Sequence, residues 1–525
     1  MQFTDANRVG LQLSEDIAQG DWRLLFIFRD AIEKVTVEDV MYVAETYYKP
    51  SNRTIGMFIP EESPERAEIP DAPNLISLVR GYKGKEAIAQ GEEFDPSPEN
   101  IEKRTNKVIF DDGLEIALLQ KENRGDAVDA RLVLRFGTLD DFRGTSAISN
   151  LTAPMLTKGT KNMTRQEIQD KLDALKATVN ISGNLNNVTA TIKTENQYLP
   201  EVIKLVGEIL KEPSFPEEEF NKLVEEQLSG IESQMSEPQA VAGTLFSQLV
   251  RPYDKDDPRY TKTMEESIEA IKAVKLEDLK SFYKDFYGAS DATMSVVGDF
   301  DEKAIGALAV KEFGAWESPK KFKRIVSAYK PTKPANEKLY TPDKANAMFF
   351  AGVTIPMGQN NDDYPAMVLG NFMLGGGFLN SRLATRIRQD EGLSYGVGSF
   401  FNARALDENA VFGAYAIYAP ENVKKLEQAF KEEITKVVEK GFTAEELEAA
   451  KTGWLQSREV GRSNDRGLAS TLESNLYYDR DMMWAKEFEE KVKNLTVEQV
   501  NAVMKKYLEN PEKFVYVKAG DFEKS

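Results

Sequence analysis

Histidine and cysteine are both absent from the 525 residues. Without cysteine there can be no disulfide, no thiol nucleophile and no thiolate metal ligand. The compartment stays open, because a cysteine-free chain suits an oxidising or a reducing one. The missing histidine excludes more. No imidazole can act as general base, zinc ligand or pH switch, so neither a Ser-His triad nor an HExxH or HxxEH zinc motif can be assembled. Long apolar runs are missing too: none approaches the roughly 18–20 residues that span a bilayer. The opening stretch MQFTDANRVGLQLSEDIAQG has no basic region followed by an apolar one, so it does not read as a secretory signal. Any signal peptide would lie upstream of Met1.

What is present is ordinary globular chemistry. Hydrophobic residues make up 41% and charged residues 29%, enough for a large packed core. At about 150 residues per domain, the length suggests three or four domains. Acidic residues outnumber basic ones 86 to 67, a formal charge of −19. Such a surface repels phosphate backbones and anionic lipid, so no nucleic-acid partner is expected and a cationic or neutral one is favoured.

Three segments share one pattern: VTVEDVMYVAETYYKPSNRTIGMFIP from Val35, VKLEDLKSFYKDFYGASDATMSVVGDF from Val274, and LTVEQVNAVMKKYLENPEKFVYVKAGDF from Leu495. Each reads as a capped helix, a turn and an apolar strand. Thr36 and Thr496 precede an acidic first turn, as N-caps do. Their wide separation makes the repeat a domain, not a solenoid unit. A second pair agrees: SFPEEEFNKLVEEQLSGIESQ from Ser214 resembles GFTAEELEAAKTGWLQSRE from Gly441. Each follows an amphipathic helix, with stripes at Val202, Leu205, Ile209 and Leu210 and at Val423, Leu426, Phe430, Ile434 and Val437.

Two complete units are therefore expected, at 101–316 and 336–525, with 1–60 matching only the tail of such a unit. Residues 61–100 and 317–335 read as linkers. The first is proline- and charge-rich, with Leu75 to Val79 able to form a short docked helix; the second is rich in lysine and proline. Within the units, Val108–Phe110 and Leu114–Leu119 flank the turn Asp111-Asp112-Gly113 and predict a hairpin. Arg131–Phe136 and Ala347–Ile355 predict strands, followed by helices near 146–157 and 363–374. Ala177–Ser182 and Val188–Thr194 predict an antiparallel pair. The order suggests α+β units with helices over one face of an antiparallel or mixed sheet.

Common catalytic signatures fail. There is no GxxxxGK[ST] or D[TS]G, and Ser-x-x-Lys at Ser318/Lys321 and Ser281/Lys284 is at chance level for a lysine-rich chain. The acidic clusters Glu217-Glu218-Glu219 and Glu445-Glu446 sit at predicted helix starts, where carboxylates favour the positive end of the dipole. The informative stretch is LGGGFLNSRLATRIRQDEGLSYGVGSFF, from Leu374. Three glycines end a helix, and Ser381 to Arg388 predicts a short helix carrying Arg382, Arg386 and Arg388. Gly392-Leu393-Ser394-Tyr395 then turns into a strand. Arg388 and Tyr395 stand seven residues apart across that corner, where a planar cation and a hydroxyl can grip a peptide carbonyl or carboxylate. The other reading has Arg388 paired with Asp390 or Glu391 and Tyr395 packed in the core.

At this stretch the sequence resembles the M16 (pitrilysin/insulinase-type) zinc metallopeptidases, and most of all the C-terminal portion of their long bacterial single-chain members. The resemblance implies four similar α+β domains arranged as two halves. Residues 1–60 would end the second domain, 61–100 would join the halves, and 101–316 and 336–525 would be the third and fourth domains. In this family zinc sits in the N-terminal half, on HxxEH and a distal Glu. The C-terminal half contributes an Arg and a Tyr that Arg388 and Tyr395 resemble; the Tyr hydroxyl would donate to the substrate carbonyl or oxyanion and the Arg would anchor main-chain oxygen. At the HxxEH position this chain reads Asn150-Leu151-Thr152-Ala153-Pro154, and near the distal ligand stand Gly230 and Ile231, with Glu232 adjacent. Asn150, Ala153 and Pro154 cannot ligate zinc as that motif does.

The resemblance thus implies the zinc-free C-terminal half of a metalloendopeptidase. It would form one wall of a degradation chamber and bind peptide or unfolded protein, while an N-terminal half carries the zinc and the general base. Alone the chain would be inactive and bind no metal. The alternative is a non-catalytic M16-like subunit that binds peptide or acts as a scaffold. A periplasmic location is favoured over a cytoplasmic one.

Overall fold

The computed structural model describes residues 6–54, 56, 91–110 and 113–523. The expected Asp111-Asp112 turn and the Leu75–Val79 helix lie outside these residues, as does most of the first linker. The chain divides into two compact units, Met1–Gly91 and Glu92–Ser525.

The first unit contains α1 (Ala6–Ala18), α2 (Leu24–Ile32) and α3 (Val37–Tyr47). Thr36 caps α3 as its sequence implies. Its hydroxyl accepts the Asp39 N–H at 3.1 Å, and the Asp39 carboxylate accepts the Thr36 N–H at 2.9 Å. Leu25 is buried here, whereas Leu11, Ile17, Phe28, Val40 and Tyr42 remain exposed. Three short helices have too little mutual surface to cover their own apolar stripes.

The second unit holds two mixed sheets. It opens with α4 (Pro98–Arg104), β1 (Asn106–Ile109), β2 (Leu114–Gln120), β3 (Ala127–Arg135), α5 (Ser146–Met155) and α6 (Arg165–Ala174). Then follow β4 (Thr178–Asn184), β5 (Asn187–Glu195), α7 (Leu199–Lys211), α8 (Glu217–Gln234), α9 (Pro238–Val250), α10 (Met264–Ala273), α11 (Leu276–Phe286), β6 (Ala292–Gly298) and α12 (Glu302–Ala309). Sheet 1 has the order β1-β2-β6-β3-β5-β4, with β2 and β6 parallel and the other neighbours antiparallel.

The remainder is β7 (Ala335–Tyr340), β8 (Ala347–Ile355), α13 (Tyr364–Asn371), β9 (Ser394–Ala403), β10 (Ala410–Tyr418), α14 (Val423–Lys440) and α15 (Ala444–Arg462). It closes with α16 (Asp465–Tyr478), α17 (Met482–Lys493), α18 (Val497–Leu508) and β11 (Val515–Gly520). Sheet 2 has the order β7-β11-β8-β10-β9, with only the β7–β11 pair parallel. The α+β architecture expected from the sequence is the one observed.

Each sheet buries one face against helices of its own segment. The α7 stripe of Val202, Leu205, Ile209 and Leu210 is buried with Phe136, Phe142 and Phe286 against sheet 1. The α14 stripe of Leu426, Phe430, Ile434 and Val437 does the same on sheet 2, beside Phe349, Phe412 and Phe514. The opposite faces are covered by exchange. Helix α16 lies across β2, β6 and β3 of sheet 1, whereas α9 lies across β8 and β11 of sheet 2. Covered on both sides, β6 is buried at every residue.

The second linker is pinned along its length. The Gly137 N–H donates to the Lys320 carbonyl at 3.1 Å, and the Lys323 N–H returns to the Gly137 carbonyl at 2.9 Å. Arg324 meets Asp407 at 2.7 Å.

Candidate functional site

Helix α5 carries the three positions where a zinc half would present HxxEH. Asn150 is exposed, Pro154 is half-buried and Ala153 is 0% exposed. The helix packs directly on β4, the last strand of sheet 1, and the approach is close: a Cβ added to Gly183 would stand 2.6 Å from the Ala153 Cβ. Ser149 fastens the same contact by donating to the Asn184 carbonyl at 2.7 Å. A carboxylate or imidazole at 153 has no room. Gly230 and Glu232, on α8, are exposed. Among the described residues no cluster of three or more His, Cys, Asp or Glu could hold a metal ion. The residues present do not fit zinc.

Arg388 and Tyr395 belong to sheet 2. The segment before Arg388 differs from the short helix expected. After α13 the chain takes two wide, π-type turns, over Phe372–Gly376 and over Ala384–Asp390. The Gly377 N–H reaches back five residues to the Phe372 carbonyl at 2.7 Å. None of the three glycines has positive φ. Gly375 is there for proximity, since a Cβ on it would fall 2.5 Å from the Ser399 hydroxyl of β9.

Tertiary tethers, not helix propensity, fix the second turn. Arg382 grips Glu446 through two nitrogens, at 2.7 and 2.8 Å, and donates to the Gly441 carbonyl at 2.9 Å. Arg386 meets Glu391 at 2.7 Å and Glu432 at 2.9 Å. Leu383, Ala384 and Ile387 are buried. Two of the three arginines are thereby consumed by structure. Arg388 is exposed and makes no hydrogen bond or ion pair with any described residue. Of the two acids that could have neutralised it, Glu391 is held by Arg386 and Asp390 does not pair with it.

Tyr395 stands 62% exposed. A β-bulge explains why. On β10, Ile417 faces Gly396 and Tyr418 faces Ser394, so Tyr395 is the extra residue with no partner opposite. The Ser394 hydroxyl locks the kink by donating to the Ile417 carbonyl at 2.6 Å, and the Gly396 N–H donates to it at 3.1 Å. Bulges re-aim a side chain at a strand end, and this one turns the phenol out of the core. Strand β9 is also the edge of its sheet. The alternative of a neutralised Arg388 and a core-packed Tyr395 is therefore not what the structure adopts.

Residues 116–259 match the model for insulinase (peptidase family M16), and residues 273–453 match that for the peptidase M16 inactive domain. Together the two matches cover more than half of the chain. It belongs to the M16 family. Among curated relatives, a Helicobacter pylori protein named non-peptidase homolog YmxG is 22% identical over 71% of this M16 chain and 84% of its own length. An uncharacterized zinc protease of Rickettsia felis is 25% identical over 62% of this chain and 76% of its own.

Solved structures share the fold. A peptidase M16 inactive domain from Pseudomonas fluorescens superposes with a TM-score of 0.70 at 22% identity, covering 79% of this chain and 97% of that one. The periplasmic protease PqqL from Escherichia coli superposes with a TM-score of 0.63 at 15% identity, covering 93% of this chain and 51% of PqqL. Sequence reading missed the Tyr395 bulge, although the small Ser394-Tyr395-Gly396 step is the kind of place where one forms.

Proposed function

We propose that this M16 chain is the substrate-holding, zinc-free half of an M16-type metalloendopeptidase, with the hydrolytic metal and general base on a partner M16 half that carries HxxEH. The observation behind the reading is a contrast. On α5, position 153 is closed by its contact with β4 and Asn150 and Pro154 offer no zinc ligand, whereas Arg388 and Tyr395 are left exposed and unengaged. On this reading residues 101–316 and 336–525 are the third and fourth domains of the assembled enzyme, and 1–60 ends the second.

An extended peptide adds to the free edge of β9, where main-chain groups are unpaired. Tyr395 donates its hydroxyl to the substrate carbonyl, and Arg388 offers its guanidinium to a neighbouring main-chain oxygen. Both act by positioning and by stabilising negative charge on oxygen. A periplasmic location is part of the reading, supported by the like fold of the periplasmic protease PqqL. Among the described residues no helix is long and apolar enough to cross a membrane.

The test uses purified protein with a quenched fluorescent peptide. The chain alone should give no zinc-dependent cleavage, and adding the zinc-bearing half should restore it. In that mixture Tyr395→Phe should lower kcat by about 10²-fold if the phenol donates to the oxyanion. An unchanged rate would reduce Tyr395 to a packing residue. The second reading, a binding or scaffolding subunit without hydrolysis, is favoured by the non-peptidase name of the Helicobacter relative. It predicts no cleavage in the mixture and unchanged peptide binding.

A further inference from the structure

Beside the meeting point of the two repeats lies a cavity of about 300 Å³ that the site above does not use. The tip of the β4–β5 hairpin, the end of α9, the pinned linker and the β9–β10 loop all reach it. Four arginines line it: Arg251, Arg259, Arg324 and Arg404. Two are already neutralised, Arg259 by Asp257 at 2.6 Å and Arg324 by Asp407 at 2.7 Å. Arg251 and Arg404 have no acidic partner among the described residues. Burial and, after it, the like charge of Arg404 push the Arg251 pKa down. Two unpaired cations facing one another in a chain of net charge −19 need an explanation.

The loop that carries Arg404 is held in place before any ligand arrives. Arg480 donates to the Ala405 carbonyl at 3.1 Å, and Asp407 also accepts the Ser327 N–H at 2.8 Å. The cavity opens onto a second, polar one of about 520 Å³, with Asn186, Tyr477 and Tyr478 common to both. That second cavity runs over the part of sheet 1 left uncovered by α16, where Asn180, Ser182 and Thr191 offer hydrogen bonds to a peptide backbone.

We propose that Arg251 and Arg404 form an anion subsite that takes a carboxylate of bound peptide, whose backbone lies along the adjoining polar cavity. The inference rests on the peptide-binding reading above and adds to it a preference among substrates. Two guanidinium forks suit the planar, two-oxygen geometry of a carboxylate. The strongly negative remainder of the surface disfavours an extended polyanion such as nucleic acid, which could not reach the pocket without meeting that field.

The experiment measures fluorescence anisotropy of the purified chain with three N-terminally labelled decapeptides. One has a free C-terminal carboxylate, one is the same sequence amidated, and one is amidated with an internal glutamate. The free-acid peptide should bind about tenfold more tightly than the amidated one, a difference that 0.5 M salt should shrink. Arg251→Gln with Arg404→Gln should abolish the preference and leave binding of the amidated peptide unchanged. Arg251→Lys should restore part of it, since charge returns without the fork. Thermal melting checks that the variants fold; neither guanidinium holds a hydrogen bond or ion pair among the described residues for the change to break, so they should.

If the glutamate peptide binds as well as the free acid, the carboxylate comes from a side chain and the subsite stands. Equal binding of all three overturns the subsite while peptide binding survives. Failure of all three to bind overturns the peptide-binding reading together with the subsite. A single-stranded oligonucleotide that binds more tightly than the peptides through the same two arginines would overturn the assignment to peptide.

Discussion

Two helices change places between the sheets, and they do so with opposite chemistry. Helix α16 brings charge to sheet 1. Glu473 is buried against Arg135 at 2.6 Å and Thr293 at 2.5 Å, with Arg131 at 3.3 Å, while Asp465 meets Lys121 at 2.5 Å. Arg135 also stacks its guanidinium 3.9 Å from the Tyr477 ring. Helix α9 brings rings and aliphatics to sheet 2. Ala242, Phe246 and Val250 bury against Met348, Val515 and Val517, and Phe246 stacks on Phe350 at 5.3 Å. Equivalent places in the two repeats are thus joined once by direction-specific bonds set among apolar contacts, where Leu468, Ala469 and Leu472 bury against Ala117, Leu119 and Val297, and once by apolar area. The polar joint accepts one register; the apolar joint accepts any neighbour of suitable volume.

The largest effect should follow from breaking the polar joint on one side. Glu473→Ala leaves Arg135 buried without its carboxylate and should cost about 3–5 kcal/mol. Urea unfolding followed by tryptophan fluorescence would read this, and a loss below about 1 kcal/mol would show that water replaces the carboxylate. Replacing Arg135 and Glu473 together by Met and Leu should recover most of the loss, because an apolar pair of similar volume is close to neutral. The apolar joint should respond differently. Phe246→Ala should cost about 3 kcal/mol through a cavity, whereas Phe246→Leu should cost less than about 1.5 kcal/mol. Comparable losses for Leu and Ala would mean that the Phe350 stack, not volume, holds α9.

Much of this architecture can be read from the residues. The helical stripes at Val202–Leu210 and Leu426–Val437 have one arrangement that buries them, and β8 runs over the very span Ala347–Ile355 that its apolar run marks. The exchange of α9 and α16 cannot be read so. Both helices show apolar residues at helical spacing, and nothing local says which sheet will receive them. The site divides in the same way. Arg388 and Tyr395 stand out by spacing, but their freedom depends on Arg386 taking Glu391 and on a bulge set by strand register. Those are contacts between distant segments, and a one-dimensional pattern does not contain them. The arginine cavity is hidden for the same reason: its residues come from five separate loops and ends.

The smallest effect separates the sheets by pH. Near sheet 1, Glu115 and Asp291 have raised pKa values, in each case mainly through burial. A raised carboxyl stabilises the fold below its ordinary value, 4.5 for Glu115 and 3.8 for Asp291, and loses that contribution as pH rises through the folded value. In the second repeat the sign reverses. Burial works against Glu427 and Glu446, but Lys518 holds the first and Arg382 the second below the ordinary 4.5. Their contribution is intact above 4.5 and fades as pH falls toward the folded values. Moving from pH 6 to pH 4 should therefore favour sheet 1 relative to sheet 2. Hydrogen exchange, corrected for intrinsic rates, should show protection falling first in β11, α14 and the start of α15, with β2 and β6 holding longer. Loosening near Glu446 should extend to the turn that Arg382 tethers, so the segment bearing Arg388 should gain exchange before β9 does. A uniform loss across both sheets would mean that the shared α9 and α16 joints, not the local carboxylates, set the acid response.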